Sequence, residues 1–193
     1  MIITYHGDNY FKIQSGSVSV LVDPTNQRSF KGATLILNTT KPASTDEPSD
    51  DQGVSWIDHQ GEFEIQGIEV SGWSVGYEDG VEKTAFSLTL EGITVTVLGH
   101  LKKELLPELY EKFNGSDILI IPGGGRPWIS PEIASKLIRQ IEPGIIIPSL
   151  YKKDLKPFLK EFDGESPKLQ EKLVIKKKDI SPKDMTVECL KVK

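Results

Sequence analysis

Three histidines are the residues in this chain best suited to general-base or metal chemistry, and their positions limit both. They fall at His6, His59 and His100, so no H-x-H or H-x-x-x-H pair sets two imidazoles on one metal ion. The single cysteine, Cys189, excludes an intramolecular disulfide and any Cys-rich zinc site. It alternates with apolar neighbours and reads as a small buried hydrophobe. Ser44 and Ser149 are candidate nucleophilic hydroxyls. Neither lies in a Gly-x-Ser-x-Gly elbow, and only His100 is at hand as a base. Gly123-Gly124-Gly125-Arg126 follows an apolar run and could cradle a small anion on backbone amides. No Gly-Lys-Ser/Thr or G-x-G-x-x-G leads from it into a helix, so a tight turn is its default role.

The elements that must position these residues change character near Gly99. Before it, Ile2–Tyr5, Tyr10–Gln14, Val18–Asp23, Leu35–Leu37, Val54–Ile57, Phe63–Ile65, Ile68–Val75, Thr84–Leu90 and Ile93–Leu98 read as strands. Asp79-Gly80 and Glu91-Gly92 are the tight turns of a β-meander. The acidic, proline-containing stretch 41–53 reads as a loop. After Gly99, helices are expected over Lys103–Phe113, from the Ser130-Pro131 cap to Ile141, and over Tyr151–Phe162. Strands Asp117–Ile121 and Ile145–Pro148 lie between them, and Lys172–Lys176 and Met185–Val192 close the chain. Strands first, then alternating strands and helices, point to an α/β sandwich in one domain over residues 1–193.

The 193 residues carry a net charge of −5, which argues against a general grip on nucleic-acid phosphates. Trp56, Trp73 and Trp128 form no ladder interleaved with basic residues, so single-strand binding is not expected either. Lys152, Lys153, Lys156 and Lys160 follow helical spacing and read as a solvated face. No apolar run approaches the ~18–20 residues of a membrane span, and no secretory signal is visible. The expected compartment is the cytosol.

The string MIITYHGDNYFKIQSGSVSVLVDP resembles the opening of the metallo-β-lactamase superfamily, in its L-ascorbate-6-phosphate lactonase-like branch. GEFEIQGIEVSG (61–72), VTVLGH (95–100) and the stretch from SDILIIPGGG to IIIPSLY (116–151) are similar to the same branch, in the same order. The resemblance implies an α/β fold, the four-layer αββα sandwich, with the site at one edge between two sheets. It also implies an H-x-H-x-D-H signature after a short apolar strand, holding one or two metal ions that activate water. Here Thr40, Pro42, Ser44 and Thr45 occupy those His, His, Asp and His positions. His100 stands at the bridging aspartate, Leu150 at the late histidine, and Gly7-Asp8 at the early Gly-His.

What the resemblance implies is therefore a degenerate member without the dinuclear centre, with no catalytic residue and no cofactor. Its remodelled pocket comprises Asp8, Asp23, Thr40, Ser44, His100, Gly123, Gly124, Gly125 and Leu150. In it His100 is expected to bond Asp8, Thr40 or a backbone group. The function expected is binding or assembly, with a small anionic ligand or a second copy of the chain as partner. An exposed Trp128 and the acidic 41–53 loop are the contact regions for self-association. A second reading gathers Asp8, Asp23 and His100 into a rebuilt mononuclear metal site of a lactone or phosphoester hydrolase.

Overall fold

The computed structural model describes residues 1–49, 53–151, 154–162, 168–181 and 185–193. Its sheets are built by period-two alternation. The early strands are β1 (Ile2–Tyr5), β2 (Phe11–Ser15), β3 (Val18–Val22), β4 (Leu35–Leu37), β5 (Thr40–Lys41) and β6 (Ser55–Ile57). The meander follows as β7 (Gly61–Ile65), β8 (Ile68–Glu78), β9 (Val81–Leu90) and β10 (Ile93–Val97), and then come β11 (Ile118–Pro122), β12 (Ile145–Ser149), β13 (Leu173–Val174) and β14 (Thr186–Val187). One sheet runs β13-β1-β2-β3-β4-β6; the other runs β14-β12-β11-β10-β9-β8-β7, with β5 added alongside β9.

Alternate residues of both sheets fill the layer between them. Ile3, Tyr5, Phe11, Ile13, Val20, Val22, Leu35 and Leu37 from one sheet meet Val70, Phe86, Leu88, Val95, Val97, Ile118, Ile120 and Ile147 from the other. Each large side chain buried in this way contributes about 1.5–3 kcal/mol. The opposite face of the second sheet presents Ala85, Leu119, Ile121 and Ile146 to three helices: α1 (Pro107–Phe113), α2 (Pro131–Ile141) and α3 (Lys156–Lys160). The opposite face of the first sheet carries one turn of 3-10 helix, Gln27–Phe30, whose Phe30 packs with Tyr10, Leu21 and Ile36. The αββα sandwich is the expected class, with unequal outer layers.

Local chemistry explains where the helices start. The Ser130 side chain accepts from the Ile133 amide, Pro131 opens α2, and Glu142 closes it in the left-handed conformation. The helix expected from Lys103 begins instead at Pro107, because an interior proline would clash with the preceding turn. The helix expected over Tyr151–Phe162 is confined to Lys156–Lys160; Lys152 and Lys153 lie outside the described residues. Lys41, the first residue of the expected loop, instead pairs with β9 in a short strand together with Thr40; part of the acidic stretch, 50–52, lies outside the described residues.

The chain's last segment ties the sheets together. β13 extends the first sheet beside β1, and β14 extends the second beside β12. Parallel pairings of β3 with β4, of β10 with β11 and of β11 with β12 bring several carboxyl ends of strands to one edge. That is where sites form in open α/β arrangements. Among the described residues no helix is long and apolar enough to cross a membrane.

Candidate functional site

Asp23 leaves β3 with a positive φ of 45° and is almost fully buried. A buried carboxylate must be hydrogen-bonded, and this one takes three donors. Asn9 Nδ2 donates to Oδ2 at 2.6 Å, the Thr39 amide to Oδ1 at 2.6 Å, and the Thr39 hydroxyl to Oδ2 at 2.6 Å. The same hydroxyl oxygen lies 2.8 Å from His100 Nδ1. An ionised carboxylate only accepts, so the threonine proton belongs to Asp23 and the imidazole must donate from Nδ1. His100 is thereby held with Nε2 as the available acceptor of the neutral ring. The Trp128 ring packs edge-on against that imidazole, centroids 5.0 Å apart.

Other contacts close a rim around this relay. The Asp8 carbonyl accepts from the Leu150 amide at 2.8 Å and from the Tyr5 hydroxyl at 2.9 Å. Leu150 has a φ of 54°, and its backbone presses against Gly124, where a Cβ would fall 2.9 Å from Tyr151 Cα. The Gly123 amide donates to Ser149, and the Trp128 amide donates to Gly125. Asn9, next to Asp8, links back to Asp23. Burial raises the Tyr5 hydroxyl well above its usual range and pushes Tyr151 up to about 12, so both phenols act as donors.

Asp23, His100, Asp8, Leu150 and the three glycines therefore sit on one continuous rim. Several expectations about it need correction. His100 bonds Thr39 and stands 3.6 Å from Asp23, not beside Asp8 or Thr40. Asp8 joins the rim through its carbonyl and is exposed. Thr40 pairs with Lys83 in β5, and Ser44 is exposed beyond it. Pro42 and Thr45 border a surface cleft of about 500 Å³ with Asp46, Trp56 and Glu82. Trp128 is half-buried over His100 instead of exposed. In the glycine turn Gly124 packs on Leu150 and Tyr151, Gly123 packs on Pro148, and Gly125 takes a φ of 67°.

Sequence reading missed Asn9 and Thr39, which flank the singled-out Asp8 and Thr40 and carry no motif of their own. It also missed a cationic cluster. Lys83, Lys102 and Lys103 all reach the Glu78 carboxylate, at 3.3, 2.9 and 3.5 Å. Hydrogen bonds from Lys102 and Lys83 hold that carboxyl down at about 2. The four residues span β8, β9 and the segment after His100, so no local pattern joins them.

The architecture can be placed among known proteins. A family model described as a β-lactamase superfamily domain matches residues 2–149. The chain belongs to the metallo-β-lactamase superfamily. Among curated proteins none gives a significant match. A Thermotoga maritima protein of the same superfamily, a candidate Zn-dependent hydrolase, superposes with a TM-score of 0.78 at 24% identity, over 98% of this chain and 97% of that one. The metallo-β-lactamase fold protein YhfI of Bacillus subtilis gives 0.68 at 10% identity, over 97% and 95%. A candidate metal-dependent hydrolase of Parabacteroides distasonis gives 0.68 at 15%, over 96% and 91%. Likeness at these identities establishes the fold.

Two of these descriptions imply a metal ion. Among the described residues no group of three or more His, Cys, Asp or Glu stands close enough to hold one. Asp23 and His100 adjoin, but both carboxylate oxygens are taken by Asn9 and Thr39, and Nδ1 faces the threonine. These donors, as arranged, do not fit a metal ion.

Proposed function

We propose that this chain is a metal-independent binding protein that keeps the superfamily scaffold and uses the remodelled rim to hold a small polar ligand without cleaving it. The observation that carries this reading is the closed Asp23–Thr39–His100 relay. A metal site needs several lone pairs pointing at one vacant position; here both Asp23 oxygens accept from protein donors and His100 Nδ1 faces Thr39, which leaves His100 Nε2 to offer alone. Thr40, Pro42, Ser44 and Thr45, at the signature positions, offer hydroxyls or no heteroatom at all.

Buried polar atoms support a ligand at the same place. Asn9 Oδ1, Asn38 Nδ2, Thr84 Oγ1 and Ser149 Oγ are buried and make no hydrogen bond among the described residues. Asn9, Asn38 and Ser149 adjoin rim residues, and the Thr84 amide bonds the Thr39 carbonyl. Such atoms are rare in native proteins and call for a partner. The lactonase-like resemblance of the sequence and a cytosolic location belong to this reading. The lone buried Cys189 thiol suits a reducing compartment.

Metal content by plasma mass spectrometry, on protein soaked in Zn, Mn or Fe and desalted, tests the reading. Less than about a tenth of an equivalent of each metal is expected. About one equivalent, lost in His100→Ala, would replace it with the metal-dependent hydrolase reading, as would lactone or phosphoester hydrolysis well above background.

A further inference from the structure

We propose that Lys83, Lys102 and Lys103 form a binding site for a tetrahedral oxyanion of the phosphate class, distinct from the rim. They line a cavity of about 40 Å³ with Val75, Gly76, Tyr77 and Glu78. At 10–15 Å³ for a water's centre, that is room for about three waters, or one small oxyanion. A bulge in β8 lines one side of the cavity. The register runs Ser74 to Thr84 and then Gly76 to Lys83, leaving Val75 as the extra residue. A bulge bends its strand and redirects the side chains beyond it.

The cations are not balanced. Three ammonium groups meet the Glu78 carboxylate, and the charge of Asp79 also acts on Lys102, which still leaves about one positive charge in excess in a chain whose net charge is −5. Lys83 decides the matter. Its side chain is only 8% exposed, and among the described residues that side chain hydrogen-bonds Glu78 alone, at 3.3 Å. An ammonium has three protons to give, and a buried charge this lightly paired is costly. Glu78 is shared with Lys102 and Lys103, so it serves none of them fully. An oxyanion in the cavity would supply the missing acceptors to all three lysines as charge-assisted bonds.

The site does not depend on the reading of the rim, and its test uses chelator-treated protein so that metal plays no part. Inorganic phosphate is titrated calorimetrically into the full chain at low salt. Saturable binding with Kd below about 10 mM is expected. Lys83→Met should weaken it about tenfold or more, and the more exposed Lys102→Ala should do the same should Lys83→Met fail to fold. Glu78→Gln should tighten it, because the competing carboxylate charge is gone. Absence of saturable heat in the wild type would overturn the proposal. So would equal affinity in wild type and Lys102→Ala, or weaker binding in a folded Glu78→Gln, each meaning that the lysines only pair with Glu78.

Discussion

The Thr39 hydroxyl oxygen lies 2.8 Å from His100 Nδ1 while its proton goes to Asp23. One threonine therefore sets the tautomer of one histidine across 61 residues of sequence. Nitrogen NMR of His100 should report Nδ1–H in the neutral ring. In Thr39→Val the preference should vanish, and urea unfolding should lose about 1–3 kcal/mol, the usual cost of unsatisfied buried polar groups. An unchanged tautomer in that variant would break the relay argument.

Gly99 makes room for this threonine. Its φ is 58°, and a Cβ there would fall 2.5 Å from Thr39 Oγ1. Gly99→Ala combines left-handed strain with a direct clash, so a loss of about 2–4 kcal/mol is expected. Gly92 has a φ of 72° with open space around it, and Gly92→Ala should lose only about 1–2 kcal/mol. Denaturation of the two variants side by side is the check, and equal losses would mean that the contact with Thr39 is unimportant.

Glu78 should titrate late. Hydrogen bonds from Lys102 and Lys83 hold its carboxyl at about 2, against an ordinary value of 4.5. A carboxyl lowered in the folded state favours folding above its unfolded value and loses that contribution as the pH falls toward the folded one. The loss for Glu78 thus falls between 4.5 and about 2. Carbon NMR of the Glu78 carboxyl should show its midpoint at the low end, moving upward in Lys102→Ala. A wild-type midpoint at the ordinary value would mean that the lysine contacts do not persist in solution.

Cys189 should be inert in the folded protein. It is 2% exposed, and burial together with the Glu188 charge pushes the thiol up to about 11. At about pH 8 an aromatic disulfide reagent should find almost no thiol until denaturant is added, and then one per chain. Rapid reaction under native conditions would show that the last segment opens freely.

The fold was largely legible because strand periodicity is a local property. Ile93, Val95 and Val97 declare their inward face by alternation with Thr94 and Thr96. The Ser130-Pro131 start of α2 was legible for the same reason, since a cap acts within one turn. Elements whose limits depend on neighbours were less so. β5 exists only because Thr40 and Lys41 find β9, and the last helix is shorter than its amphipathic pattern.

By itself the sequence determined what scaffold this protein builds and which imidazoles it has to place. Three histidines without H-x-H or H-x-x-x-H spacing and the run of short strands are all countable along the chain. The tertiary structure decided which polar groups meet. Asp23 meets Thr39 and His100 because the ends of β3, β4 and β10 converge, and Lys83 meets Lys102 and Lys103 over Glu78 beside the bulge of β8. Such meetings join residues far apart in sequence. They depend on register and strand order, which side-chain periodicity does not encode.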